Sequence, residues 1–291
     1  MKYFGFHTSI SYGLCECFNY VVEKGATSFQ IFLRNPKSIN NTNESGIDRK
    51  SELIELKKLL TKNTNIKCVV HSPYVLNFCQ PKDSYIYKNS IKILINDMTD
   101  AELGGIEYCI VHTGKNVNKL SLQDAMNNYA EGIAECINNT PSLNTKIVIE
   151  TASGQGTEIC WKLKNLGYLR QLIQNKLNDE NDIERVKFCI DTCHITSASY
   201  DIKNDCLSVV KLIDKYLKWD CVVCIHINDN KGDIGCFVDR HADIGKGTLT
   251  KEALSNFIKY VNKYNNNLVY ILETPCDEIK RDEQLEWLKN C

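Results

Sequence analysis

Eight short runs of Val, Ile, Cys and aromatic residues recur along this chain at wide intervals, and no other feature narrows its possible folds as far. The runs are Lys2 to His7, Ser28 to Leu33, Lys67 to His71, Tyr108 to His112, Lys146 to Glu150, Val186 to Asp191, Val222 to Ile227 and Leu268 to Glu273. They are nearly continuous in apolar residues, the pattern of parallel strands covered on both faces. Between them, stretches such as Ser51 to Leu60, Tyr85 to Leu103, Leu122 to Ile137 and Glu252 to Val261 space their apolar residues as helices do. The alternation runs through all 291 residues without a break in composition. The expected fold class is therefore α/β, a (β/α)8 TIM barrel forming one domain over 1–291. A doubly wound open sheet would carry a glycine-rich phosphate loop after an early strand, and neither GxGxxG nor GxxxxGK[ST] occurs.

In such a barrel the C-terminal strand ends converge on one mouth. The third to eighth runs end in His71, His112, Glu150, Asp191, His226 and Glu273, and each of these side chains can bind a metal. His194 follows Asp191 by three residues in the turn DTCH, and Asp239 and His241 share one face if their segment is extended. A single residue of this kind is usually a cap or an ordinary hydrogen-bonding group. The set reads differently, because five of the six histidines fall within it. Nine donors exceed the four, rarely five, that one zinc ion accepts, so more than one ion is implied. Imidazole and carboxylate donors without thiolate favour zinc, with manganese or iron as alternatives, over calcium or magnesium. Cys193 is read as packing against the barrel. The long connections Asn35 to Lys50 and Asn228 to Thr248 follow strands, so they border the same mouth.

Composition sets limits on location and partners. No apolar run approaches the roughly 20 residues of a membrane span, and the opening Met1-Lys2-Tyr3-Phe4-Gly5-Phe6 reads as a strand, not a signal peptide. We expect a non-secreted, intracellular protein, cytoplasmic or, in a eukaryotic or viral setting, in the host nucleus, host cytoplasm or virion. Fifteen cysteines would suggest a disulfide scaffold only in a secreted chain, so reduced core thiols are expected. Cys221 and Cys224 are spaced CxxC, but on a strand residues three apart point to opposite faces, which argues against a shared metal or redox role. A net charge of −1 speaks mildly against a nucleic-acid partner.

With these residues in view, the chain closely resembles the endonuclease IV family of apurinic/apyrimidinic endonucleases, which has the xylose-isomerase-like TIM barrel. The likeness covers nearly the whole length: KYFGFHTS, HSPYVLN, VIETASGQGTEI, CIDTCHITSASYD, HINDNKGDIGCFVDRHADIGKG and ILETP with a later EWLK. It implies three zinc ions. One would be held by His71, His112 and Glu150, a second by Glu150, Asp191, His226 and Glu273, and a third by His194, Asp239 and His241. Glu150 and Glu273 would be the catalytic carboxylates, and His7 matches a family histidine that is not a ligand.

The implied substrate is double-stranded DNA containing an abasic site, cut 5′ to the lesion to leave a 3′-hydroxyl and a 5′-deoxyribose phosphate. Trimming of blocked 3′ ends fits the same resemblance. Three divalent ions would outweigh the four carboxylates and leave a locally cationic mouth, which answers the near-neutral net charge. An abasic sugar must leave the helix to reach such a mouth. Tyr74, with Val75 beside it, matches an inserted aromatic, and Asn35 and Lys37 fall where the family contacts DNA. No membrane and no obligate protein partner are implied.

Thr113 stands where many members have proline, and Pro36 stiffens the loop after Asn35. Two rival readings remain at this point. Sugar isomerases and epimerases on the same barrel would use Glu150, Asp191, His226 and Glu273 but leave the other five donors without a purpose. A zinc-bearing protein that grips damaged DNA without cutting it is the other.

Overall fold

The computed structural model describes residues 3–291. Lys2, expected to open the first strand, lies outside the described residues. Eight parallel strands form a closed barrel: β1 (Tyr3–His7), β2 (Ser28–Ile31), β3 (Lys67–His71), β4 (Tyr108–Val111), β5 (Lys146–Glu150), β6 (Val186–Asp191), β7 (Val222–His226) and β10 (Val269–Leu272). Two-residue strands β8 (Asp229–Asn230) and β9 (His241–Ala242) form an antiparallel pair in the loop after β7. Around the barrel lie α1 (Leu14–Glu23), α2 (Ile47–Lys62), α3 (Tyr85–Leu103), α4 (Leu122–Asn138), α5 (Leu163–Gln174), the short α6 (Thr192–Ser197), α7 (Cys206–Tyr216), α8 (Lys251–Val261) and α9 (Glu278–Lys289). None is long and apolar enough to cross a membrane. β10 closes the ring by pairing with both β7 and β1.

Several elements depart from the expected bounds. The second strand stops at Ile31, short of Leu33, because the chain turns out of the ladder where Arg34 is drawn to α3. There its guanidinium donates to Asp97 Oδ1 and Asp100 Oδ2, each at 2.7 Å. α2 begins at Ile47, before the expected Ser51; its first turn is exposed at Ile47 and so shows no apolar period. Cys221 is not on the seventh strand but in a 3-10 turn, Trp219–Cys221, that precedes it.

Inside the barrel, Val69, Ile110, Val148, Cys189, Cys224 and Ile271 pack into one apolar floor. Val70, Val111, Ile149, Ile190, Ile225 and Leu272 point the other way, into the layer between strands and helices. Each fully buried aliphatic side chain contributes about 1.5–3 kcal/mol, so this alternation is strongly specified. Two residues beyond each floor position come His71, His112, Glu150, Asp191, His226 and Glu273. The period of a strand is two, so the apolar floor forces all six toward the axis of the mouth.

The long loop after β7 is ordered by one carboxylate. Asp229 accepts backbone N–H groups of Asn230 and Leu249 on Oδ1 and of Gly245 and Gly247 on Oδ2, at 2.8–3.0 Å. That staple folds the segment back so that β9 carries His241 over the mouth. All fifteen cysteines are free thiols, ten buried and five partly buried.

Candidate metal centre

Three groups of donors form at the mouth: His71, His112 and Glu150; Glu150, Asp191, His226 and Glu273; and His194, Asp239 and His241. Within each, the donor atoms lie within 4.8 Å of one another. Glu150 belongs to two groups and divides its oxygens between them. Oε2 lies 3.3 Å from His71 Nε2 and 3.5 Å from His112 Nε2, while Oε1 lies 3.1 Å from His226 Nδ1. Asp239 instead spans the two histidines of its own group, with Oδ2 3.3 Å from His194 Nε2 and Oδ1 3.3 Å from His241 Nε2. Above them opens a cavity of about 300 Å³, lined among others by His71, His112, Glu150, His241 and Glu273. Asp191 and His226 lie beneath it, fully buried.

Local structure explains the convergence. Asp191 ends β6 and caps α6, its Oδ1 accepting the His194 N–H at 2.9 Å, so the ordinary capping role and the place in the cluster coexist. His194 therefore sits on a short helix and not in an open turn. Cys193 is buried, and its thiol donates to Asn230 Oδ1 at 3.5 Å. It also lies within donor range of Asp191 and His241, as Cys189 and Cys224 do of His226. Burial pushes the Cys193 thiol well up, which suits a neutral packing group more than a thiolate. Cys221 joins none of these groups.

Four buried or half-buried carboxylates at close quarters demand positive charge. Burial alone would lower the histidines, yet Asp191 and Asp239 push His194 well above its usual range, and Asp191, Asp239 and Glu273 raise His241 to about 9. Burial works against ionised Glu150 as well, but the imidazoles of His112 and His226 hold it well below the carboxylate range. Burial lowers His112, and it lowers His7 to about 4. His241 Nε2 is buried without a hydrogen-bond partner although three carboxylates surround the ring. An orphaned buried nitrogen facing carboxylates, in a set rich in imidazole, fits a divalent cation of the zinc type.

Comparison with known proteins places the chain. The family model described as xylose isomerase-like TIM barrel matches residues 18–291. A relative from Acanthamoeba polyphaga mimivirus carrying the name putative endonuclease 4 is 38% identical over 289 residues, covering 97% of this chain and 88% of that protein. The chain belongs to the endonuclease IV family. The apurinic-apyrimidinic endonuclease of Caenorhabditis elegans is 31% identical, over 94% of this chain and 66% of that protein. The crystal structure of endonuclease IV from Thermus thermophilus superposes with a TM-score of 0.82 at 25% identity, covering 99% of this chain and all of that one. Membership makes the chain a nuclease. A D-tagatose 3-epimerase-like structure matches at 14% identity with a TM-score of 0.72, a likeness of barrel alone.

Around this endonuclease IV mouth the rim residues sit apart from the donors. Tyr74 is 45% exposed and borders both the central cavity and a second one of about 560 Å³ that Val75 also lines. Asn35 and Lys37 lie in the β2–α2 loop, where Asn35 Oδ1 accepts the Lys37 N–H at 3.0 Å, and they line neither cavity. His7 packs on Phe32, with ring centroids 4.5 Å apart. Two residues at the site escaped the sequence reading. Asn228 donates to Asp191 Oδ2 at 2.6 Å and accepts the Glu273 N–H at 2.9 Å. Gln30 donates to Glu273 Oε1 at 2.6 Å and sits 2.8 Å from His226 Nε2. The available signal for Gln30 was a buried-strand amide between Phe29 and Ile31; for Asn228 it was spacing of two from His226.

Proposed function

We propose that this chain is a metal-dependent AP endonuclease that hydrolyses the DNA backbone 5′ to an abasic site, leaving a 3′-hydroxyl and a 5′-deoxyribose phosphate. The observation that carries the reading is the division of Glu150: one carboxylate serves two groups of donors, as a bridging ligand must. His71, His112 and Glu150 would hold one zinc, Glu150, Asp191, His226 and Glu273 a second, and His194, Asp239 and His241 a third. Divalent ions there supply Lewis acidity toward the phosphate and a water nucleophile at neutral pH.

The chain's own residues do the rest. Glu150 and Glu273 stay ionised at neutral pH, because neighbouring imidazoles hold both below the usual range against the effect of burial. The mouth is a recess, so a phosphate reaches it only from a nucleotide turned out of the duplex, which costs least where the base is missing. Tyr74 on the rim, with Val75 beside it, fills the gap left in the stack, and Asn35 and Lys37 contact the backbone. The five donors outside the Glu150, Asp191, His226 and Glu273 set are what the sugar-epimerase reading leaves unused.

Duplex DNA carrying one tetrahydrofuran abasic analogue tests the proposal, since that analogue cannot undergo β-elimination. A chelator-sensitive cut 5′ to the analogue that leaves an extendable 3′-hydroxyl is expected. Zinc-loaded protein that binds the duplex without cutting it would overturn the reading in favour of a recognition protein.

A further inference from the structure

Three of the five donor histidines share one arrangement, and a fourth reverses it. His71 Nδ1 lies 2.7 Å from the Ser72 carbonyl, His194 Nδ1 2.8 Å from that of Thr151 and His241 Nδ1 3.3 Å from that of Glu273. A carbonyl oxygen only accepts, so each Nδ1 carries a proton and Nε2 faces Glu150 from His71 and Asp239 from the other two, with His194 Nδ1 also 3.3 Å from Glu150 Oε1. His226 is turned round. Its Nδ1 faces Glu150 Oε1 and Glu273 Oε2, both at 3.1 Å, and its Nε2 lies 2.8 Å from the side-chain oxygen of Gln30. The role that backbone plays for three histidines falls to a side chain for the fourth.

Gln30 is fully buried on β2, in register with His7 of β1. A Cβ at Gly5 would stand 1.5 Å from the Ser28 carbonyl, so only glycine there lets the two strands come this close. The amide nitrogen of Gln30 donates to Glu273 Oε1 at 2.6 Å and lies 3.1 Å from His7 Nδ1. Only one orientation of the amide serves all three neighbours. Reversed, its oxygen would meet the Glu273 carboxylate, acceptor against acceptor, and its amino group would face His226.

We infer that Gln30 is a positioning residue for the second metal group: its oxygen keeps the proton of His226 on Nε2 so that Nδ1 is the ligand atom, and one of its N–H groups holds Glu273 Oε1 so that Oε2 turns toward His226 Nδ1 and the Asn228 amide. His7 anchors the amide by accepting its other N–H. The inference rests on the reading that Glu150, Asp191, His226 and Glu273 hold a metal, and it names what orients two of those four. Partners of this kind, one step removed from the ion, typically change metal affinity by roughly 10–100-fold when lost.

Three measurements on the full chain test it, with zinc as the probe. Long-range ¹⁵N–¹H spectra of the zinc-loaded protein should show His226 protonated at Nε2; a proton confined to Nδ1 overturns the inference without any variant. Chelator competition on Gln30→Met should show one zinc equivalent bound roughly 10–100-fold more weakly with the others unchanged, and His7→Leu a smaller loss of the same equivalent. Undiminished binding in both variants means that Gln30 merely fills space. Should Gln30→Met fail to fold, the spectrum and His7→Leu carry the decision. Glu273→Gln is the control. If it holds as much zinc as the parent, the metal reading fails and takes the inference with it, whereas loss of one equivalent there but not in Gln30→Met or His7→Leu overturns the inference alone.

Discussion

Two sets of charged side chains are buried in this barrel, and they meet the cost of burial in opposite ways. Arg34, Asp97 and Asp100 form a closed set in which one guanidinium meets two carboxylates at 2.7 Å, and Ser45 adds a hydrogen bond to Asp100 at 2.8 Å. At the mouth, carboxylates and imidazoles stand mostly 3.1–3.8 Å apart, and His241 Nε2 is buried without a well-formed hydrogen bond although Asp239 Oδ1 lies 3.3 Å away. The first set carries its own cation and ties the β2–α2 loop to α3, with Asp97 Oδ2 alone left buried without a hydrogen bond. The second sets its carboxylates against imidazoles, which balance them only when protonated or when a cation takes the proton's place. Carboxylates buried against a permanent cation mark structure here, and carboxylates buried against titratable imidazoles mark the candidate site.

The contrast predicts different penalties for removing one member. Arg34→Met leaves two carboxylates buried without their cation, so it should lower unfolding free energy by about 3–5 kcal/mol, read by chemical denaturation; a loss near zero would mean that the set is not closed as described. Glu273→Gln should show first in function. Neighbouring imidazoles hold the Glu273 carboxylate below its usual range, so the metal-free variant should lose some stability at neutral pH, bind abasic duplex normally and cleave at least roughly a hundredfold more slowly. Parent-like cleavage would remove Glu273 from the site.

A pH series sharpens the comparison further. Burial pushes the Asp97 carboxyl up to about 6 against the pull of Arg34. The folded chain therefore holds that proton more tightly than the unfolded chain, so the associated stability is present below about pH 4 and lost as pH rises through 6. Asp97→Asn should abolish this decline, shifting the stability difference in the variant's favour by on the order of 2 kcal/mol between pH 4 and pH 7. An unchanged difference would show that Asp97 ionises as freely when folded. The smallest effect belongs to the rim, which neither set supports. Tyr74→Ala should weaken binding to abasic duplex by roughly tenfold in fluorescence anisotropy, with stability intact.

Much of the donor ring was legible because strand periodicity does the aiming. Once Val148 is placed in the floor, Glu150 has one direction available, and the same holds for Ile110 with His112 and Ile271 with Glu273. His194 and the Asp239–His241 pair were legible as donor types, but their geometry was not: a short helix started by Asp191 and a hairpin stapled by Asp229 bring them in. Gln30 was hidden for a physical reason. An amide has no charge to draw attention, and its partners lie 196 and 243 residues away, joined to it only by barrel closure. Arg34 was likewise unremarkable until Asp97 and Asp100 arrived from α3.

Closure has a consequence in time. β10 is the last strand made and the one that pairs with both β7 and the very first strand, so β1 keeps an open edge for almost the whole of synthesis. At roughly 5–20 residues per second, the stretch from β7 to β10 leaves a gapped sheet for seconds. Glu273 follows that closing strand, which makes it the last of the nine donors to leave the ribosome. The donor ring is therefore incomplete until the barrel has shut, so assembly of the candidate site and closure of the fold are one event.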